Sequence, residues 1–216
     1  MTTESELEGF ERPPQSLWNR ILAEPARAPE YIALAAADHF GPEAAEWVRI
    51  AGPGHTPRKL ARIAYRKHVR LARLEGGLLG LGGVFTMAPD IVALLWIQSR
   101  MIFYIAAAHG YDPRHPMRPA ELLALQGVYE TPADARRALD GVGKHLAVAV
   151  AERTISGRPM DRLHRRLARY LLQRLARHYG GKMIPIIGAP LGAMQNAGTT
   201  KDLGRLALTY YGGRDG

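Results

Sequence analysis

Residues 76–112 read GGLLGLGGVFTMAPDIVALLWIQSRMIFYIAAAHGYD, and five of the first eight are glycine. This is the most apolar stretch of a 216-residue chain. Three structures compete for it: a phosphate-binding loop, a membrane span, and a helical hairpin buried in protein. The glycines Gly77-x-x-Gly80-x-Gly82 do not match the dinucleotide fingerprint, follow no predicted strand, and carry no G-x-x-x-x-G-K-[ST] pattern. Glycines without a strand–loop–helix context are weak grounds for a phosphate loop. From Ile91 to Ala108 there are 18 mostly apolar residues, the lower limit for a span. Gln98, Ser99 and Arg100 stand in the middle of that run. An arginine at the bilayer centre costs roughly 2.5–3.5 kcal/mol even on the most lenient scale, which disfavours a single span. The expectation is therefore a glycine-rich hairpin of 76–88 and 90–108 buried in protein, with the same hairpin dipping into one membrane leaflet as the alternative. A helix apolar on all sides belongs in an interior, and Gly76 and Gly80, four apart, let a neighbouring backbone approach closely. Gly188 and Gly192, with Ala189, Ala193 and Ala197, form a second element of this kind.

The rest of the chain also reads as helical. Prolines suited to a first helical turn occur at Pro29, Pro42, Pro57, Pro119 and Pro132. Thr56 and Thr131 are N-cap residues, and Asp134 supplies a first-turn carboxylate. Gly41, Gly52, Gly110 and Gly180 are expected stops. The pattern predicts helices near 16–24, 29–40, 42–51, 56–75, 89–109, 119–129, 131–155 and 160–179, and two more with an interruption over 182–212. No alternating strand pattern has a partner. The fold class expected is all-α: a single helical domain over 56–216, with a helical extension over 1–55.

Composition narrows the function classes. There is no cysteine, which excludes disulfides, thiolate metal sites and a cysteine nucleophile. The N-terminus MTTESELEGFERPP has no basic segment followed by an apolar one, so a secretory signal is not expected and a cytoplasmic location is. Net charge is +9, yet residues 1–50 hold nine acids against four bases. The positive excess lies further along and suits an anionic partner. In 57–75, a 100° period places Leu60, Ile63, Ala64, Leu71 and Leu74 on one side. Arg58, Lys59, Arg62, Arg66, Arg70 and Arg73 fall opposite. In 160–179, Leu163, Leu167, Tyr170, Leu171 and Leu175 oppose Arg162, Arg165, Arg166, Arg169 and Arg177. These arginines lack the acidic i+4 neighbours of a salt-bridged helix. A solvated bundle face competes with a surface for anionic lipid or nucleic acid, with lipid ahead of nucleic acid. Arg62, Arg66, Arg70, Arg165, Arg166 and Arg169 are the candidate anionic-surface residues.

Two sets of blocks carry a resemblance. The first is Glu75-Gly76 through Gly83, Pro89-Asp90, Gln98-x-Arg100 and Gly110-Tyr111-Asp112. The second is Lys182-x-x-Pro185-x-x-Gly188-Ala189, Gly192-Ala193, Asn196, Thr200 and Gly204-Arg205-x-Ala207-x-x-Tyr210-Tyr211. Together, over about 56–212, the chain resembles the EcsC protein family. The resemblance implies suspected membrane association, a link to an ABC transporter through the gene neighbourhood that names the family, and no assigned activity or cofactor. Pro190 departs from the pattern, and residues 1–55 lie outside it. Asp90, Arg100, Lys182, Asn196 and Arg205 are the candidate ligand-binding residues.

No metalloprotease, nucleophile-elbow or EF-hand pattern is present, and the few serines have no nucleophile setting. His109, Asp112 and His115 have no standard metal spacing and read as capping and turn residues. Asp90 suits the start of the apolar helix as well as a ligand. Arg100 needs an anion, because an uncompensated buried charge costs several kcal/mol. The carboxylates expected to supply it are Asp112, Glu121, Asp140, Glu152 and Asp202, with an anionic ligand group as the alternative. Three functions follow. The first is a non-catalytic protein that sits peripherally on the inner face of a membrane or holds a lipid-like ligand. The second is an enzyme built around Asp90, Arg100 and Lys182. The third is a binder of nucleic acid or acidic protein. No catalytic residue, metal or cofactor is assigned.

Overall fold

The computed structural model describes residues 12–80, 87–141 and 189–213, and the side-chain surroundings of 12–74, 92–141 and 199–213. In chain order the helices are α1 (Gln15–Ala23), a 3-10 turn (Pro25–Arg27), α2 (Ala28–Ala51), α3 (Pro57–Gly80), α4 (Met87–Ala108), α5 (Arg118–Leu125) and α6 (Ala189–Gly212). A further helical segment covers 132–141. No strand occurs among the described residues, and the protein is all-α.

The helix boundaries follow from local chemistry. The Lys59 amide donates to Thr56 Oγ1 at 3.3 Å, and the Asp134 amide donates to Thr131 Oγ1 at 3.1 Å, so both threonines cap as expected. At the end of α4, Gly110 has φ +81. Its amide donates to the Ala107 carbonyl, and the Tyr111 amide donates to that of Ala106. This paired closure needs a left-handed residue, which glycine supplies without a Cβ penalty. The same closure at Gly127 (φ 68) ends α5 at Leu125, four residues before the expected end at 129.

Three expectations need correction. Gly41 and Pro42 were expected to divide 29–40 from 42–51, but α2 is one helix with Pro42 inside it. An interior proline loses a hydrogen bond and costs about 3 kcal/mol. What opposes the break is a continuous buried face of Tyr31, Ile32, Ala36, Phe40 and Ala44. Gly41 is a contact residue, since a Cβ there would meet the Pro113 carbonyl oxygen at 3.1 Å. The second correction concerns the glycine run. Helix α3 extends through Gly76 to Gly80, so these glycines form its last turn and do not begin a separate arm. The third is that 189–212 is a single helix, with Pro190 near its described start. The surroundings of Gly76, Gly80 and Gly192, the helix expected over 160–179, and the stops or close contacts at Gly180 and Gly188 lie outside the described residues.

Helix α4 is central: α2, α3 and α6 all pack on it. Its residues set the register of each. Phe40, Glu43 and Trp47 of α2 meet Trp96, Arg100 and Tyr104, so α2 runs parallel to α4. Gln98 pairs with Thr200, and Gly204 lies against Met101, so α6 also runs parallel to it. Leu71 and Ala72 cluster with Leu94 and Ile97, while the His68 ring lies beside that of Tyr104, so α3 runs antiparallel to α4. One buried cluster runs from Leu17 to Tyr211. The N-terminal helices therefore contribute to the same core as the rest.

Helices α3 and α6 cross closely at Gly204. A Cβ there would lie 2.5 and 2.7 Å from the Tyr65 ring and 3.0 Å from Met101 Sδ. Small residues are buried beside this crossing, with Ala61 and Ala64 flanking Tyr65 on α3 and Ala207 one turn from Gly204 on α6. Close backbone approach gives good packing only where side chains are small. Gly204→Val is expected to lower the unfolding free energy by about 1–3 kcal/mol through overpacking, read from the denaturant midpoint. An unchanged midpoint would mean that Tyr65 swings aside without cost and the crossing does not constrain the fold.

Candidate functional site

A polar cluster fills the groove where α2 and α3 flank α4. Arg100, on α4, is nearly buried, its side chain 15% exposed. Its guanidinium stands 3.5 Å from Glu43 Oε2 of α2 and 3.5 Å from the Tyr104 hydroxyl, to which it donates. Tyr104 in turn donates to Glu43 at 3.3 Å. The guanidinium also lies over the Phe40 and Tyr104 rings, 5.5 and 5.4 Å from their centroids, an arrangement in which a cation is attracted by the ring quadrupole. His39 Nε2 approaches the other Glu43 oxygen at 3.5 Å.

An internal carboxylate therefore faces Arg100, but it is none of those expected. Glu121 pairs with Arg118, Asp140 with Arg136 and Asp202 with Arg205. Asp112 accepts the Arg114 amide at 2.9 Å, and Glu152 lies outside the described residues. Glu43 was missed because it belongs to the 1–55 segment, where no sequence pattern ties it to α4. The only signal was that Phe40, Glu43 and Trp47, spaced three and four apart, share one helix face, as do Trp96, Arg100 and Tyr104, spaced four and four. Asp112 and His115 take turn roles as expected, with His115 Nδ1 accepting the Met117 amide at 3.2 Å.

The other candidate ligand residues are dispersed. Arg205 is exposed on α6 and paired with Asp202 at 3.4 Å. Asp90 lies in the first turn of α4, not at its start, and Asn196 lies on α6; the surroundings of both side chains, and Lys182 altogether, lie outside the described residues. A second buried cluster was not anticipated. Arg118 and Glu121 of α5 form a buried ion pair. Tyr211 of α6 donates to Glu121 at 2.9 Å, and Arg118 lies over the Tyr111 and Tyr211 rings. Burial, then the Glu121 charge, push the Tyr211 hydroxyl well above its ordinary pKa. The cluster locks α5 to the end of α6.

The basic face of α3 is exposed as expected. Arg58, Lys59, Arg62, Arg66, Lys67, Arg70 and Arg73 all point outward, and no acid occurs from Pro57 to Leu74. None of Arg58, Arg62, Arg66 and Arg70 pairs with a carboxylate among the described residues. By contrast Arg27, Arg49, Arg136, Arg137 and Arg205 all do. Ile63 departs from the expected apolar side: it is 41% exposed and sits within the basic arc. Leu60, Ala64 and Leu71 are buried as expected, and Ala61, His68, Val69 and Ala72 complete the buried side. Arg165, Arg166 and Arg169 lie outside the described residues.

His68 joins the two faces of α3. It is fully buried, with its ring 5.3 Å from that of Tyr104. Its Nδ1 contacts the Ala64 carbonyl at 2.7 Å. A carbonyl only accepts, so Nδ1 holds the proton, and Nε2 is buried with no hydrogen-bond partner among the described residues. Burial, then the Arg100 and Lys67 charges, push its pKa down from 6.5 to about 3, against the opposing effect of the Ala64 bond. Lys67 is exposed as a residue, but partial desolvation of its ammonium, and then Arg100, lower its pKa as well.

The sign of the linkage follows. Between pH 6.5 and about 3 the unfolded chain protonates this histidine and the folded chain does not, so stability falls as pH falls through that window. From pH 6.5 to about 5 the expected loss is about 2 kcal/mol. His68→Leu should flatten that slope in chemical denaturation at the two pH values. Parallel losses in both proteins would show that His68 titrates normally.

Among the described residues, no helix is long and apolar enough to cross a membrane. No solved structure matches the chain. The chain is 26% identical over 156 residues to the uncharacterized protein YdbA of Bacillus subtilis (strain 168). That alignment covers 68% of this chain and 53% of the relative, so the chain spans about half the length of the protein it matches. The EcsC protein family profile matches residues 55–214, a range that takes in the basic helix α3, the central α4 with Arg100, and α6 with its Gly204 crossing. On that match the chain belongs to the EcsC protein family.

Proposed function

We propose that this EcsC family protein works without catalysis, as a peripheral binder of anionic membrane surfaces through the exposed face of α3. The observation that carries this reading is the row of Arg62, Arg66 and Arg70, which pair with no carboxylate among the described residues, with Lys59, Lys67 and Arg73 beside it on one helix and no acid among them. A row of like charges raises the energy of the free protein, and an anionic surface relieves that repulsion. Each Lys or Arg near an anionic bilayer contributes about 1 kcal/mol. Ile63, exposed within the arc, adds an apolar contact that a headgroup region accommodates and a phosphodiester backbone does not reward. This favours a membrane over nucleic acid.

Binding to vesicles containing phosphatidylglycerol should exceed binding to phosphatidylcholine alone and should weaken with salt, because exposed charges act over a screened range. Replacing Arg62, Arg66 and Arg70 with glutamine should reduce it by about a hundredfold, while circular dichroism stays unchanged. Equal binding to neutral and anionic vesicles, or a triple variant that binds like the wild type, would overturn the reading.

A further inference from the structure

A cleft with a volume of about 600 Å³ opens where the start of α3 meets the ends of α4 and α6. Thr56, Arg58, Arg62, His109, Leu208 and Thr209 line it, together with the two glycines at the end of α6. No carboxylate is among the described lining residues. We infer that this cleft is a binding site for a phosphate group, with Arg58 and Arg62 as its anchors, and that it gives the α3 surface a preference for a phosphomonoester lipid headgroup. The inference rests on the surface reading above for the source of the phosphate, but not for the cleft itself.

The chemistry of the lining supports a phosphate in particular. Arg58 and Arg62 are one turn apart on the same helix face, about 6 Å along the axis, and neither has an ion-pair partner among the described residues. Two guanidinium forks at that spacing can each form charge-assisted hydrogen bonds to different oxygens of one tetrahedral dianion, a recognition that suits arginine better than lysine. Thr56 Oγ1 already accepts the Lys59 amide at 3.3 Å, which leaves its hydroxyl proton free to donate to the ligand. Thr209 differs: its hydroxyl donates to the Arg205 carbonyl at 3.1 Å, so it shapes the wall without serving as a donor. Leu208 and Pro57 give the cleft apolar surface beside its charges, as a site for a headgroup joined to a glycerol would need.

Two further features place the cleft functionally. Arg62 belongs both to the cleft and to the exposed basic arc, so a headgroup held here sits at the edge of the surface that faces the membrane. The far wall is also constrained. A Cβ on Gly212 would meet the His109 ring at 3.1 Å, so side chains there would press into the wall. The Arg118–Glu121–Tyr211 cluster anchors the same end of α6.

The test compares vesicles of equal total charge that carry phosphatidic acid or phosphatidylglycerol in phosphatidylcholine, and adds a titration with inorganic phosphate. Wild-type protein should bind the phosphatidic acid vesicles about tenfold more tightly. Arg58→Gln with Arg62→Gln should abolish that preference; Arg66→Gln with Arg70→Gln should weaken binding to both vesicle types and keep it. All four positions are exposed, so circular dichroism should show every variant folded. Equal affinity of the wild type for the two vesicle types would overturn the headgroup inference and leave the surface reading standing. Binding of inorganic phosphate that is lost in the Arg58/Arg62 variant, without vesicle binding, would support the cleft with free phosphate as its ligand and overturn the surface reading. Binding of neither would overturn both.

Discussion

Three consecutive polar residues in the middle of the most apolar helix set the terms for everything packed around it. Gln98, Ser99 and Arg100 point in three directions from α4, and a buried polar group without a partner is costly. Each is answered differently. Ser99 donates to the Leu95 carbonyl of its own helix at 2.6 Å. Gln98 donates to Thr200 of α6 at 3.3 Å. Arg100 finds Glu43 and the aromatic rings of Phe40 and Tyr104. Two of these answers come from other helices, and they fix the sliding register of α6 and of α2 along α4. The apolar contacts then fall into place at one-turn intervals on either side: Phe40 on Trp96, Trp47 on Tyr104, Gly204 on Met101.

Helix α3 shows how one element serves both packing and surface. Its inner side mixes Leu60, Val69 and Leu71 with alanines and one neutral histidine, and α6 crosses close to it at Gly204. Its outer side is acid-free and basic. These halves are linked, because a close crossing buries only a narrow stripe and leaves the remaining circumference to solvent. Elsewhere the described arginines are mostly neutralised within a turn of their own helix, as Arg49 is by Glu46 and Arg137 by Asp134. The lack of such pairing along α3 is therefore a local property of this helix and not of the composition at large.

Family membership fits this division. Several of the residues that carry the resemblance fall at structural joints. Gln98 and Thr200 meet directly, Gly204 is the crossing point, Gly110 closes α4, and Tyr211 is held in the buried cluster with Glu121 and Arg118. Arg58 and Arg62, by contrast, belong to no structural contact among the described residues, and it is such residues that are free to meet a ligand.

The sequence alone determined the helical class, most helix starts, and the exposure of the basic face. Caps, first-turn prolines and charge periodicity are short-range physics, written within one or two turns of where they act. It also determined that α4 is no ordinary span, since the Gln98–Arg100 triplet is visible without any partner. Only the tertiary structure decided the rest. Pro42 reads as a helix start, and only the continuous buried face of α2 against α4 overrides it. Ile63 reads as core by hydrophobicity, yet the packing of α3 leaves it 41% exposed while its neighbours Leu60, Ala61 and Ala64 are buried. Glu43 sits 57 residues before Arg100 in the chain, and the cleft joins residues from the first turn of α3 to residues at the end of α6. Pairings at such separations depend on how helices pack in three dimensions, and no local pattern in the chain encodes them.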